Sequence, residues 1–168
     1  MSVWHEINWI KQQLKKRKPE KRPTIDYTPA TITLTAGNTT GGAVSDVQSM
    51  FSGGTYDVDE LTATPGFDIR FNFTGVTRIP RFATVRCHYN GSATHYVGVD
   101  LYNYDTTSWD QFDLFVDTSD WFITKTIIIP LANAVDYTSS GAAIVRLYHY
   151  TAGNNAHDIL VDYVGLAH

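Results

Sequence analysis

The feature that most constrains this chain is a hydrophobic alternation of period two, repeated in run after run. In residues 144–150, Val145, Leu147 and His149 alternate with Ile144, Arg146, Tyr148 and Tyr150. In residues 159–166, Ile159, Val161 and Tyr163 alternate with Leu160, Asp162, Val164 and Leu166. This spacing puts successive side chains on opposite faces of a strand. Between the two runs, Ala152-Gly153-Asn154-Asn155-Ala156 suits a tight reversal. Residues 141–168 are therefore predicted to form a paired hairpin.

The same texture extends back to residue 30. In residues 67–73, Phe67, Ile69, Phe71 and Phe73 share one face, and Asp68, Arg70 and Asn72 the other. Residues 31–35, 56–61, 81–89, 94–104, 109–117 and 124–130 also read as strands, with residues 37–42 as a turn-rich loop and 44–51 undecided. Asn90-Gly91 is a hairpin signal, so residues 81–89 are predicted to pair with 94–104. Ile127, Ile128 and Ile129 in sequence suit a strand covered on both faces or a sheet edge. Short strands at regular spacing predict an all-β fold, an antiparallel β-sandwich or jelly roll. A chain of 168 residues is long enough for one such domain without a disulfide framework. Cys87 is the only cysteine. It falls on the inward face of its run, reads as a buried inert thiol, and suits a reducing cytoplasm.

The first residues differ. Val3, Ile7, Ile10 and Leu14 make a short heptad seam flanked by Trp4 and Trp9, so residues 1–17 are predicted to form an amphipathic helix. Two heptads do not hold a free coiled coil, and the seam needs a partner: its own body, sister copies or another protein. Pro19, Pro23 and Pro29 punctuate an extended linker over residues 18–29, leaving residues 30–168 as the sandwich. Residues 1–25 hold seven basic side chains (Lys11, Lys15, Lys16, Arg17, Lys18, Lys21 and Arg22) against two Glu, a net charge of +5. The rest of the chain holds six basic against fifteen acidic residues, a net charge of −9. A basic arm on an acidic body implies an anchor that seeks a negative partner surface. No nucleic-acid fold signature accompanies the basic run, and no apolar run is long enough to cross a membrane, so neither nucleic acid nor membrane is an expected partner.

A nucleophile elbow, a phosphate-cradling glycine loop and paired metal-binding cysteines are all absent from the sequence, and it is read as non-enzymatic. His95 and His157, each just after a turn, are expected to orient loops by hydrogen bonding, with catalysis or metal binding as the alternative. The aromatic group Tyr96, Tyr102, Tyr104 and Trp109, with polar neighbours, is a candidate glycan platform, weighed against sheet filler whose rings are packed and hydroxyls wet. Asp57 and Asp59 at one strand start and Asp162 in the last strand form a candidate calcium set.

The closing pattern from His157-Asp158 through Asp162-Tyr163-Val164-Gly165-Leu166 resembles the last hairpin of galactose-binding-like jelly rolls, which include many carbohydrate-binding modules. In calcium-binding members a carboxylate of the last strand can be a ligand, and Asp162 matches that place. The middle of the chain, from Tyr56-Asp57-Val58 through Pro65-Gly66-Phe67 to Trp109-Asp110, resembles small β-sandwich proteins carried by tailed bacteriophages. The resemblance implies a virion structural protein, a capsid decoration, head-fibre or tail accessory protein. It would be made in the host cytoplasm, anchored to other virion proteins by its arm, and assembled as a homo-oligomer, with a trimer favoured. The alternative expectation is a carbohydrate-binding module that recognises cell-surface glycans.

Overall fold

The computed structural model describes residues 25–115 and 121–168. Among these the chain forms eleven strands: β1 (Ile25–Tyr27), β2 (Thr31–Ala36), β3 (Asn38–Gly41), β4 (Tyr56–Asp59), β5 (Asp68–Phe73), β6 (Phe82–Asn90), β7 (Val97–Asn103), β8 (Ser108–Phe115), β9 (Ile123–Ile128), β10 (Ala143–His149) and β11 (Asp158–Ala167). Two 3-10 turns, Val44–Val47 and Ala134–Tyr137, interrupt them. The predicted anchor helix, with most of the basic linker, lies outside the described residues. Of the described part of the linker, residues 25–29, Ile25–Tyr27 is a strand paired with β11.

The strands form two antiparallel sheets around one core. One runs β3-β4-β11-β6-β9 with β1 added on β11; the other runs β2-β5-β10-β7-β8. The alternation seen in the sequence builds the core. Phe67, Ile69, Phe71 and Phe73 are buried from one sheet, together with Val97, Val99, Leu101, Val145 and Leu147. Ala83, Val85, Cys87, Tyr89, Ile159 and Val161 meet them from the other. Each large aliphatic or aromatic side chain so buried stabilises the fold by about 1.5–3 kcal/mol, against a chain-entropy cost of similar total size. Burial also pushes the Cys87 thiol up to about 12.

Four expectations are corrected. Residues 144–149 and 158–167 are both strands, but they do not pair: β10 lies between β5 and β7, while β11 lies between β4 and β6 in the opposite sheet. Likewise β6 does not pair with β7 across Asn90-Gly91, because β6 is flanked by β11 and β9 and β7 by β10 and β8. Turn chemistry specifies that the chain reverses, not whether it returns to the same sheet; here it spans the roughly 10 Å between two layers. The third correction is local. A register shift between Val161 and Tyr163 inserts Asp162 as a bulge, so the inward face changes from Ile159 and Val161 to Val164 and Leu166, opposite Val85 and Ala83. An extra residue on one strand changes the parity of everything after it. The loop expected at 37–42 contains β3, and residues 44–47 are a 3-10 turn.

Ile127 and Ile129 are buried, whereas Ile128 is 67% exposed, because β9 is an edge strand with one face in the core. Only the edge reading of that isoleucine run holds.

Candidate functional site

The outer face of the five-stranded sheet carries the densest chemistry among the described residues. Strand alternation aims Arg146 and Tyr148 outward from β10, Asp100 and Tyr102 from β7, and Asp68 and Arg70 from β5, since their neighbours Val145, Leu147, Val99, Leu101, Ile69 and Phe71 fill the core. Register then sets one row straight across the sheet: Thr33 opposite Arg70, Arg70 opposite Arg146, Arg146 opposite Asp100, and Asp100 opposite Gln111. Two arginines side by side would repel. Here each takes a carboxylate: Arg70 Nη2 donates to Asp68 Oδ2 at 2.6 Å, and Arg146 donates to Asp100 Oδ2 from Nε at 2.9 Å and Nη2 at 2.5 Å.

The rings stand around this row. Tyr102 and Trp109 are directly opposite in register, with ring centroids 5.2 Å apart, and Tyr104 meets Tyr102 at 5.0 Å, both pairs edge to face. The Arg146 guanidinium lies 4.1 Å from the Trp109 ring centroid and 4.1 Å from that of Tyr148. Tyr148 meets Tyr150 at 4.7 Å, and the Tyr150 hydroxyl donates to Asp100 at 2.8 Å. Burial raises the Asp100 pKa despite hydrogen bonds from Arg146 and Tyr150. The rings of Tyr102, Tyr104, Trp109 and Tyr148 are half-buried, so part of each meets solvent while its orientation is fixed from below. A cation held between two rings and pinned by a buried carboxylate is a pre-set surface rather than a floppy one.

Of the predicted platform, Tyr102, Tyr104 and Trp109 are brought together. Tyr96 shares their strand parity but precedes β7 at its far end, 47% exposed. Arg146, Tyr148, Arg70 and Asp100 complete the face; their outward alternation was visible in the sequence, but not that β10 would lie beside β7. The calcium set does not assemble. Asp59 faces Asp158 across β4 and β11, whereas Asp162 Oδ2 accepts from Arg86 Nη1 at 2.7 Å and from the Phe51 amide at 3.2 Å. The resemblance that matched Asp162 to a ligand position is thus answered by an arginine. The anchor residues Val3, Trp4, Ile7, Trp9, Ile10 and Leu14 and the basic arm lie outside the described residues.

A second constellation was not anticipated. Glu60, fully buried just after β4, gathers His149 from the end of β10, His95 from the β6–β7 connection and His157 from the β10–β11 connection. His95 and His157, expected to orient loops with metal binding or catalysis as the alternative, meet on one carboxylate. Their separation in sequence hides this, since no local spacing encodes a contact made across two sheets.

No protein-family model matches the sequence, and no curated protein does. Among solved structures the fold is similar to a xylan-binding module, CBM15, with a TM-score of 0.57 and 13% identity over 86% of this chain and 96% of that one. It is also similar to the E78R mutant of a carbohydrate-binding module of family 29, with a TM-score of 0.50 and 12% identity over 82% of this chain and 91% of that one. At these identities the likeness is one of fold alone, an antiparallel β-sandwich shared with these modules.

Proposed function

We propose that the chain is a non-catalytic carbohydrate-binding domain that takes a polysaccharide chain across the outer face of its five-stranded sheet. The observation that carries this reading is the Trp109–Arg146–Tyr148 stack, pinned from below by the buried Asp100 and flanked in the same row by the partly exposed Arg70 and the exposed Gln111. A sugar ring offers an apolar C–H face to an aromatic ring and hydroxyls to flanking carboxylates, amides and guanidinium groups. Rings alternating with fixed polar groups on an open sheet meet both needs along an extended chain. The face is open rather than a closed pocket, which suits internal segments of a polymer better than a chain end. The fold likeness to a xylan-binding module supports the choice of xylan as the first polymer to try.

The test is calorimetric titration and affinity electrophoresis with soluble xylan, glucan and mannan, on the wild type and on Trp109→Ala. Binding to one of these β-linked polymers is expected, weakened about thirtyfold in Trp109→Ala, the equivalent of about 2 kcal/mol at a ring that acts as an interface anchor. Far-ultraviolet circular dichroism checks that the variant is folded. Absence of binding to all three polymers, or undiminished binding by a folded Trp109→Ala/Tyr148→Ala double variant, would reject this face.

A further inference from the structure

Glu60 presents a problem of charge. Its side chain is fully buried, and among the described residues it makes no ion pair with a lysine or arginine; its partners are imidazoles, a phenol and one amide. A buried carboxylate needs a positive partner close by.

The geometry of the imidazoles points to what that partner is. His149 is fully buried and its Nδ1 lies 2.8 Å from the Thr151 carbonyl. A carbonyl only accepts, so Nδ1 carries a proton and is taken up, and Nε2, 3.0 Å from Glu60 Oε1, is the ring nitrogen left to reach an ion. Metal-binding histidines are held in this way, one nitrogen fixed by a backbone carbonyl and the other turned to the ion; here the Tyr89 hydroxyl, 3.2 Å from His149 Nε2 and 3.0 Å from His95 Nδ1, stands beside both nitrogens. His95 Nδ1 lies 3.3 Å from Glu60 Oε2, and one ligand atom each from Glu60, His95 and His149 falls within a 4.8 Å sphere of mutual distances. His157 Nδ1, buried and without a hydrogen-bond partner, lies 3.5 Å from Glu60 Oε2. Bonds of about 2.0–2.1 Å to a tetrahedral ion place neighbouring ligand atoms about 3.3–3.4 Å apart. The carboxylate-to-imidazole separations are close to that value, 3.0 Å from Oε1 to His149 and 3.3 and 3.5 Å from Oε2 to His95 and His157. The ligand atoms of Glu60, His95 and His149 spread to within 4.8 Å of one another, so an ion would draw the imidazoles together.

The surroundings are shaped to the cluster. The Asn154 amide donates to Glu60 Oε2 at 2.6 Å and the Tyr89 hydroxyl donates to Oε1, so the carboxylate is oriented from two sides. The connections come close enough that a side chain has no room. A Cβ at Gly66 would stand 2.6 Å from His149 Nδ1, and one at Gly153 would stand 2.3 Å from the Leu61 carbonyl oxygen and 2.8 Å from Glu60 Cβ. His95 and His157 keep 15% and 22% of their side chains exposed, which leaves a route in from solvent.

We propose that Glu60, His95 and His149, with His157 as the fourth donor, bind one first-row transition-metal dication of the zinc or cobalt type. Three imidazoles and one carboxylate suit such an ion. They do not suit calcium, which takes six to eight oxygens. The ion would fasten three connections that cross between the sheets, β4–β5, β6–β7 and β10–β11, at one end of the sandwich. This site is separate from the polysaccharide face and does not depend on it.

The experiment uses the full chain without a histidine tag, stripped with a chelator and titrated with cobalt(II), then zinc(II). The expected result is one cobalt per chain with a visible ligand-field band of a four-coordinate ion, displaced by zinc, and a thermal midpoint that rises with metal concentration. His149→Gln and His95→Gln are each expected to lose the band and at least tenfold in affinity, while His88→Gln, on the outer face of the other sheet, retains both. Should His149→Gln not fold, His95→Gln decides, since that ring is at the rim. Three results would overturn the proposal: no stoichiometric cobalt binding by the folded wild type, which leaves a carboxylate paired with protonated histidine only; a band that persists in folded His95→Gln; or an equal midpoint rise with calcium.

Discussion

Arg146 shows how much one side chain on a sheet can organise. It is 8% exposed, forms two hydrogen bonds to a fully buried aspartate and fills the space between two rings. Removing it leaves Asp100 as an uncompensated buried charge. Arg146→Ala is expected to lose about 3 kcal/mol of stability in urea denaturation, and adding Asp100→Asn should recover part of that. A double variant as unstable as the sum of the single ones would show that the pair is not coupled. Lysine is not an adequate substitute, because its point charge lacks the planar fork that both stacks on the rings and bonds the carboxylate. Alternation alone put Arg146 on the outer face with Tyr148. Their meeting with Trp109 was not legible, because it depends on β10 and β8 flanking β7, and strand order is not written in any one strand. The same holds for Glu60, which follows Asp59 in the chain and proves to be the hub of three histidines.

At the scale of the element, the strands were readable and the connections were not. Side-chain periodicity is local, so 144–149, 158–167 and 67–73 announced themselves. Partner choice is non-local, and Gly-Asn turns look alike whether the chain folds back beside itself or crosses to the other layer. The bulge at Asp162 is a further case: alternation read through it assigns Tyr163 to the core face, and only the pairing with Arg86 corrects this. The edge strand β9 offers a direct test of one-sided burial. Ile127→Ala is expected to cost about 2–4 kcal/mol, whereas Ile128→Thr, at an exposed position next in the chain, should stay within about 0.5 kcal/mol of wild type. Equal effects in chemical denaturation would mean that β9 is covered on both faces.

For the whole molecule, burial of phenols sets an alkaline limit. Tyr137 is pushed up to about 12 by burial and its hydrogen bond to Asp110, and Tyr163 to about 12 by burial. An unfolded tyrosine ionises near 10. A folded pKa above the unfolded one means that the folded state holds its proton more tightly, so this contribution to stability is complete below pH 10 and is lost as pH rises towards about 12. The urea midpoint should therefore fall over that interval, less steeply in Tyr163→Phe, and phenolate absorbance should show a late-titrating group of tyrosines. A slope unchanged in Tyr163→Phe would count against a buried Tyr163 hydroxyl.

The position of β11 has a consequence for how the protein is made. Residues 158–167 lie in the middle of the six-stranded sheet, hydrogen-bonded to β4 and β1 on one side and to β6 on the other. Every neighbour leaves the ribosome earlier, and each must wait, with one edge bare, until this segment clears the exit tunnel. The six-stranded sheet is therefore completed only after translation has passed residue 167, and until then β4 and β6 each offer an unpaired edge that a chaperone could shield.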